Sequence, residues 1–139
     1  MLCIGKRPDN NPFIVGIQKP FSENGDAAFT LSIDSLSVVT SGDYQRYFEK
    51  DGILYHHIMD LTTGYPARND LDSVTIVSES SVDGDALSTI CFILGREDSI
   101  KFLSTLREKD PESPLDAVFI DTEGHIFFTE GLSDIIDIR

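Results

Sequence analysis

One change of rhythm constrains this chain more than any other feature. Along most of its length, short β-branched or alternating apolar runs stand between turn residues, which is a strand pattern. Only in "SSVDGDALSTICFILGRED" and the segment after it does the spacing become helical. Ala86, Leu87, Ile90, Cys91, Ile93 and Leu94 recur at i, i+3 and i+4. Ser80 or Ser81 is placed to cap this helix, acidic residues fill its start, and Gly95 fits its end. "SIKFLSTLREKD" (Ser99 to Asp110) reads as a second amphipathic helix stopped near Pro111.

The flanks are strands. Phe13 to Pro20 reads as one, with "SENGD" as a loop after it. Lys6 to Pro12 is a turn expected to join a strand to a strand. "AAFTLSI" and "SLSVVTS" follow, joined tightly at Asp34-Ser35. Lys50-Asp51-Gly52 between two aromatic-rich segments is a hairpin signal. "LTTGYPARND" reads as loop and "LDSVTIVSE" as strand. "LDAVFID" and "HIFFTEG" form a hairpin across "TEG", and "LSDIIDIR" supplies a last strand. The expected class is α+β, a largely antiparallel sheet with two central helices, in one domain spanning residues 1–139.

Charge and composition narrow the function. The 139 residues carry a formal net charge of -13, and no Lys/Arg cluster offers phosphates a basic stripe, so nucleic acid is excluded as a partner. Hydrophobic residues make up 40%, a globular composition, and no run approaches the ~18 apolar residues of a membrane span. The opening "MLCIGKRPDNNP" lacks the apolar core of a secretory signal. As it stands the chain is expected to be neither exported nor anchored by its own N-terminus, hence cytoplasmic. Cys3 and Cys91 match no CxxC pattern and read as ordinary thiols, with Cys91 in the core.

Several polar residues are candidates for chemistry. Asp85 and Thr89 are spaced i, i+4, so a carboxylate and a hydroxyl share one helix face. Two hard oxygens suit magnesium, which takes its remaining ligands from water and phosphate. The plainer alternative is helix-end chemistry for Asp85 and a bond from Thr89 back to the i-4 carbonyl. His56 and His57 project to opposite sides of a strand, so one alone faces a given pocket. Beside Asp60, Thr62 and Thr63, such a histidine is either a proton shuttle or phosphate contact, or a structural group that pairs with Asp60 or fills a half-buried position. Asp83 reads mainly as a helix cap. Ser41-Gly42 reads as a plain turn, with close backbone approach to a ligand as the alternative.

The ordered set of motifs, "SGDY" at Ser41, "YHHIMDLTTGYP" at Tyr55, "SVTIV" at Ser73, "DGDALST" at Asp83 and "FIDTEGHIFFTEGL" at Phe119, resembles the C-terminal half of the ApbE family of flavin transferases. The resemblance covers essentially the whole chain and implies a T-fold-like half. It implies Mg2+-dependent transfer of the FMN part of FAD to a Ser or Thr hydroxyl of a target flavoprotein, with release of AMP. By the same resemblance Asp85 and Thr89 correspond to metal ligands, and His57 to a histidine at the flavin pyrophosphate or in proton transfer. Asp60, Thr63 and Gly64 correspond to a loop shaping the dinucleotide site, with Ser41 and Gly42 also on the cofactor side. Asp85 and His57 are thus the expected catalytic pair. Leu61 stands where the family has Pro, and Met59 where it has Ile.

The resemblance also implies a missing N-terminal half carrying most flavin-binding residues. The chain alone is therefore expected to be inactive or weakly active, and its compartment depends on whether that half brings an export or lipoprotein signal. An unpaired sheet edge would favour homo-oligomers or aggregation. The competing expectations are a non-catalytic module that binds metal, flavin or a partner protein, and a structural domain without ligand.

Overall fold

The computed structural model describes residues 1–22 and 25–138. The middle of the expected Ser22–Asp26 loop and the last residue of the final strand segment lie outside them. In chain order the strands are β1 (Phe13–Gln18), β2 (Ala27–Ile33), β3 (Ser37–Gly42), β4 (Tyr47–Lys50), β5 (Ile53–His56), β6 (Met59–Asp60), β7 (Tyr65–Pro66) and β8 (Leu71–Ser78). Two helices follow, α1 (Ser81–Leu94) and α2 (Arg96–Lys109). Then come β9 (Leu115–Asp121), β10 (Ile126–Phe128) and β11 (Ile136–Ile138).

All strand pairs are antiparallel. A four-stranded sheet runs β10-β9-β8-β3, and a three-stranded sheet runs β1-β2-β11. The larger sheet is the middle of three layers. Val74, Ile76, Ala117 and Phe119 pack toward Cys91, Phe92 and Leu103 of the helices. Val77, Val118 and Ile120 pack toward Val15, Ile17, Phe29 and Leu31 of the smaller sheet. Alternate residues of β9 therefore serve opposite cores, and β8 and β9 are buried on both faces. The α+β class with an antiparallel sheet and two helices is what the sequence predicts.

Local chemistry fixes the ends of elements. Asp51 and Gly52 both have positive φ, 53° and 73°, as a two-residue hairpin between β4 and β5 requires. Ser80 caps α1, its side chain accepting from the Asp83 amide. Asp83 is thus a first-turn acid and not the cap. Gly95, with φ 77°, ends α1 and at once begins α2. The second helix therefore opens at Arg96, one turn before the expected Ser99.

The expected loop after Leu61 is a small hairpin, with β6 pairing β7 around Gly64. The residues before Lys6 form no full strand: Leu2 bridges Ser37, with hydrogen bonds between Met1 and Val38 and from Cys3 to Leu36 on either side. Cys3 and Cys91 are free and buried, and burial pushes the Cys91 thiol up to about 11.

Candidate functional site

The mouth of α1 is set by how closely the helix approaches β3. Gly84 has no side chain, and a Cβ there would lie 3.0 Å from Val39 Cγ2. One turn further, Ser88 is also buried. These small residues bring the helix down onto the strand, so the Ser41 hydroxyl meets two helix hydroxyls. Ser41 Oγ is 2.8 Å from Ser88 Oγ and 3.2 Å from Thr89 Oγ1. Ser88 and Thr89 also donate to the Asp85 carbonyl, at 3.1 and 3.2 Å. The back-bond expected of a helical Thr is therefore present. It uses the Thr89 proton, so the Ser41 hydroxyl is the donor in its contacts with Ser88 and Thr89, and Thr89 keeps a lone pair to offer. The Asp85 side chain is exposed on the same face as Thr89, two residues after the first-turn acid Asp83.

Ser41 and Gly42 are the last residues of β3 and not a turn. Gly42 is a point of close approach: a Cβ would lie 2.5 Å from the Tyr44 ring and 3.0 Å from the Asp72 carbonyl.

The two histidines take different environments, but not by alternation along one strand as expected: β5 ends at His56, and His57 lies in the bend that follows. His56 is buried; its Nε2 donates to the Ala67 carbonyl at 2.9 Å and its Nδ1 accepts from the Ile58 amide at 3.3 Å. Its ring meets Phe92 edge to face at 5.6 Å. Burial lowers its pKa, so the neutral Nε2–H tautomer is built into the core. His57 is exposed. Its backbone amide and its Nδ1 both donate to the Arg46 carbonyl, at 3.2 and 3.3 Å. That tautomer leaves the Nε2 lone pair free to accept a proton.

Asp60, Thr63 and Gly64 organise the β6–β7 turn. Asp60 Oδ1 accepts from the Thr62 amide at 2.8 Å, Thr63 Oγ1 accepts from the Tyr65 amide at 3.3 Å, and the Gly64 amide reaches the Asp60 carbonyl at 2.8 Å. Backbone donation from Thr62 lowers the Asp60 pKa and keeps it ionised. Asp60 bonds its own turn and neither histidine, so of the two plainer readings, a histidine paired with Asp60 or one filling a half-buried position, His56 follows the second and is in fact buried.

The candidate residues thus fall into two groups. Ser41 meets Ser88 and Thr89 at α1, with the exposed Asp85 one turn before Thr89. His57 lies in the bend after β5, and the Asp60–Gly64 turn joins β6 to β7. Among the described residues no hydrogen bond or ion pair joins His57 to Asp85, and no group of three or more His, Cys, Asp or Glu is arranged to hold a metal.

Sequence reasoning passed over Ser88 and the carboxyls beneath Gly42. Burial first, and the neighbouring Asp72 second, push Asp43 up to about 7. Burial, then Asp121, pushes Asp72 up to about 6. Asp43 Oδ1 and the Ser73 hydroxyl, the latter in a residue 1% exposed, are buried without hydrogen-bond partners among the described residues. Only the i, i+3 spacing of Ser88 from Asp85 could have flagged the first. Nothing in the sequence pairs Asp43 with Asp72.

The fold and this site define a class, an α+β domain with polar oxygens collected where one helix meets a sheet edge, and comparison with known proteins sharpens it. The profile of the ApbE family matches residues 1–111, and the chain belongs to that family. It is 43% identical over 129 residues to an FAD:protein FMN transferase of Treponema pallidum (strain Nichols), covering 90% of this chain and 34% of that protein. It is 45% identical over 106 residues to one of Klebsiella pneumoniae (strain 342), covering 76% and 32%. The crystal structure of the ApbE protein of Thermotoga maritima superposes with a TM-score of 0.75 at 35% identity, covering 91% of this chain and 39% of that one. The chain therefore spans about a third of the length of the curated relatives it matches.

Proposed function

We propose that this chain takes part in moving FMN from FAD to a Ser or Thr hydroxyl of a target flavoprotein, with Mg2+ as cofactor, and that it contributes the phosphate end of the site. The observation that supports this most is the contact of Ser41 with Thr89, one turn after the exposed Asp85 on α1, in a member of a family whose relatives bear the transferase name. One exposed carboxylate and one hydroxyl a turn apart fit a hard cation that fills its other positions from water and phosphate. Bound there, magnesium would supply Lewis-acid neutralisation of charge growing on phosphoryl oxygens.

The chain's own residues do the rest in this reading. Asp85 and Thr89 orient the pyrophosphate, and the Ser41 hydroxyl and the approach allowed by Gly42 shape its bed. The acceptor hydroxyl oxygen bonds to the FMN phosphorus as the phosphorus–oxygen bond to AMP breaks. The acceptor's proton passes to His57 Nε2, and AMP departs with the bridging oxygen. The Asp60–Thr63–Gly64 turn borders the dinucleotide. Residues 1–139 act here as an ApbE-like C-terminal domain whose flavin site is completed by further sequence. The second reading, a non-catalytic module keeping the fold, is favoured by one fact: among the described residues no group of three His, Cys, Asp or Glu side chains is placed to hold a metal.

Mass spectrometry decides between them. The chain is incubated with FAD, Mg2+ and a threonine-bearing acceptor peptide, alone and with the N-terminal portion of a relative. Covalent FMN on the peptide in the complemented mixture supports transfer. Its absence there, with FAD still bound, supports the binding module.

A further inference from the structure

Three hydroxyls share too few protons at the mouth of α1, and the shortage gives Ser88 a task. Ser88 and Thr89 both spend their protons on the Asp85 carbonyl, at 3.1 and 3.2 Å. Toward Ser41 each can therefore only accept. The Ser41 hydroxyl has one proton and two acceptors, Ser88 Oγ at 2.8 Å and Thr89 Oγ1 at 3.2 Å. The nearer oxygen lies at the usual O–H···O separation and the farther one beyond it, so the proton goes to Ser88. The two acceptors also differ in surroundings. Ser88 is 0% exposed, whereas Thr89 is half-buried on the helix face it shares with the exposed Asp85.

We propose that Ser88 is a positioning residue: by taking the single Ser41 proton it leaves the Thr89 oxygen open to the cation that Asp85 and Thr89 would hold. The inference rests on the transferase reading for that cation, and on the hydrogen bonds alone for the proton. Without the Ser88 oxygen, the Ser41 hydroxyl keeps one of these two acceptors, Thr89. Its proton then occupies a Thr89 lone pair and sets the positive end of an O–H dipole against the oxygen that a cation needs. Ser88→Ala produces this state without breaking the helix, because Ala is smaller than Ser and the better helix former. Removing the Ser41 hydroxyl as well takes the competing proton away.

The NMR signal of the Thr89 methyl group reads the proton in the chain itself, without turnover. Ser41→Ala should shift it little while Ser88 is present and clearly in the Ser88→Ala background. Equal shifts in both backgrounds would overturn the proposal. They are what the reverse chain gives, with Ser88 donating to Ser41 and Ser41 to Thr89. Mn2+ titrated alone, followed by broadening of the same methyl signal, gives the second arm. Ser88→Ala should raise the Mn2+ concentration for half-broadening by roughly threefold to tenfold, the worth of one hydrogen bond. Adding Ser41→Ala should bring it back. No rise in Ser88→Ala would overturn the proposal, and so would a rise that persists in the double variant, which is the mark of packing damage. Broadening absent from every protein, wild type included, would instead count against a cation at this helix, and the methyl shifts would still decide where the Ser41 proton lies.

Discussion

Ser41 near the end of β3 and Thr89 in the third turn of α1, far apart in sequence, place their hydroxyl oxygens 3.2 Å apart. Gly84 sets that distance, because any side chain there meets Val39. Gly84→Ala should lift α1 from the sheet at a cost of roughly 1–3 kcal/mol and lower Mn2+ affinity together with stability. Urea denaturation and metal titration check both.

Asp85 and His57 carry the proposed chemistry from exposed positions. Asp85→Ala and His57→Ala should each depress FMN transfer by on the order of 10², while thermal unfolding stays near wild type because neither side chain fills the core. Wild-type transfer in either variant would remove that residue from the mechanism.

His56 should behave in the opposite way. Both of its ring nitrogens serve buried backbone groups, so His56→Ala leaves the Ala67 carbonyl and the Ile58 amide short of a partner. A loss of roughly 1–3 kcal/mol is expected for such orphaned groups, read as a lower urea midpoint. The contrast between adjacent histidines separates core from site.

Stability should also respond to pH through Asp43. Its folded pKa of about 7 lies above its ordinary 3.8, so between these values the folded state holds a proton that the unfolded state has released. The favourable contribution is complete below about pH 4 and is lost as pH rises to about 7. Asp43→Asn should therefore gain stability relative to wild type at pH 8 and less so at pH 5. A pH-independent difference between the two unfolding curves would contradict this.

What the sequence disclosed follows the range of the interactions. The β4–β5 hairpin was legible because Asp51-Gly52 encodes its own positive φ, and α1 because Ser80 and Gly95 mark its ends. The early start of α2 was hidden because one glycine both ends a helix and begins another. The β6–β7 pairing was hidden because its polar turn resembles open loop. Pairing of β11 with β2 joins segments about a hundred residues apart and leaves no local trace. At the site, Asp85 and Thr89 were visible as a one-turn pair. The contact of Thr89 with Ser41 depends on a helix docking against a strand, and the Asp43 environment on three separate elements.

Paramagnetic broadening by Mn2+ reaches the central claim most directly. With FAD present, and the N-terminal portion of a relative added, amide signals of Ser41, Asp85, Ser88 and Thr89 should vanish at substoichiometric Mn2+. Asp85→Ala should restore them. Uniform weak broadening, or loss centred on another acidic stretch of the chain, would contradict a cation held at the mouth of α1.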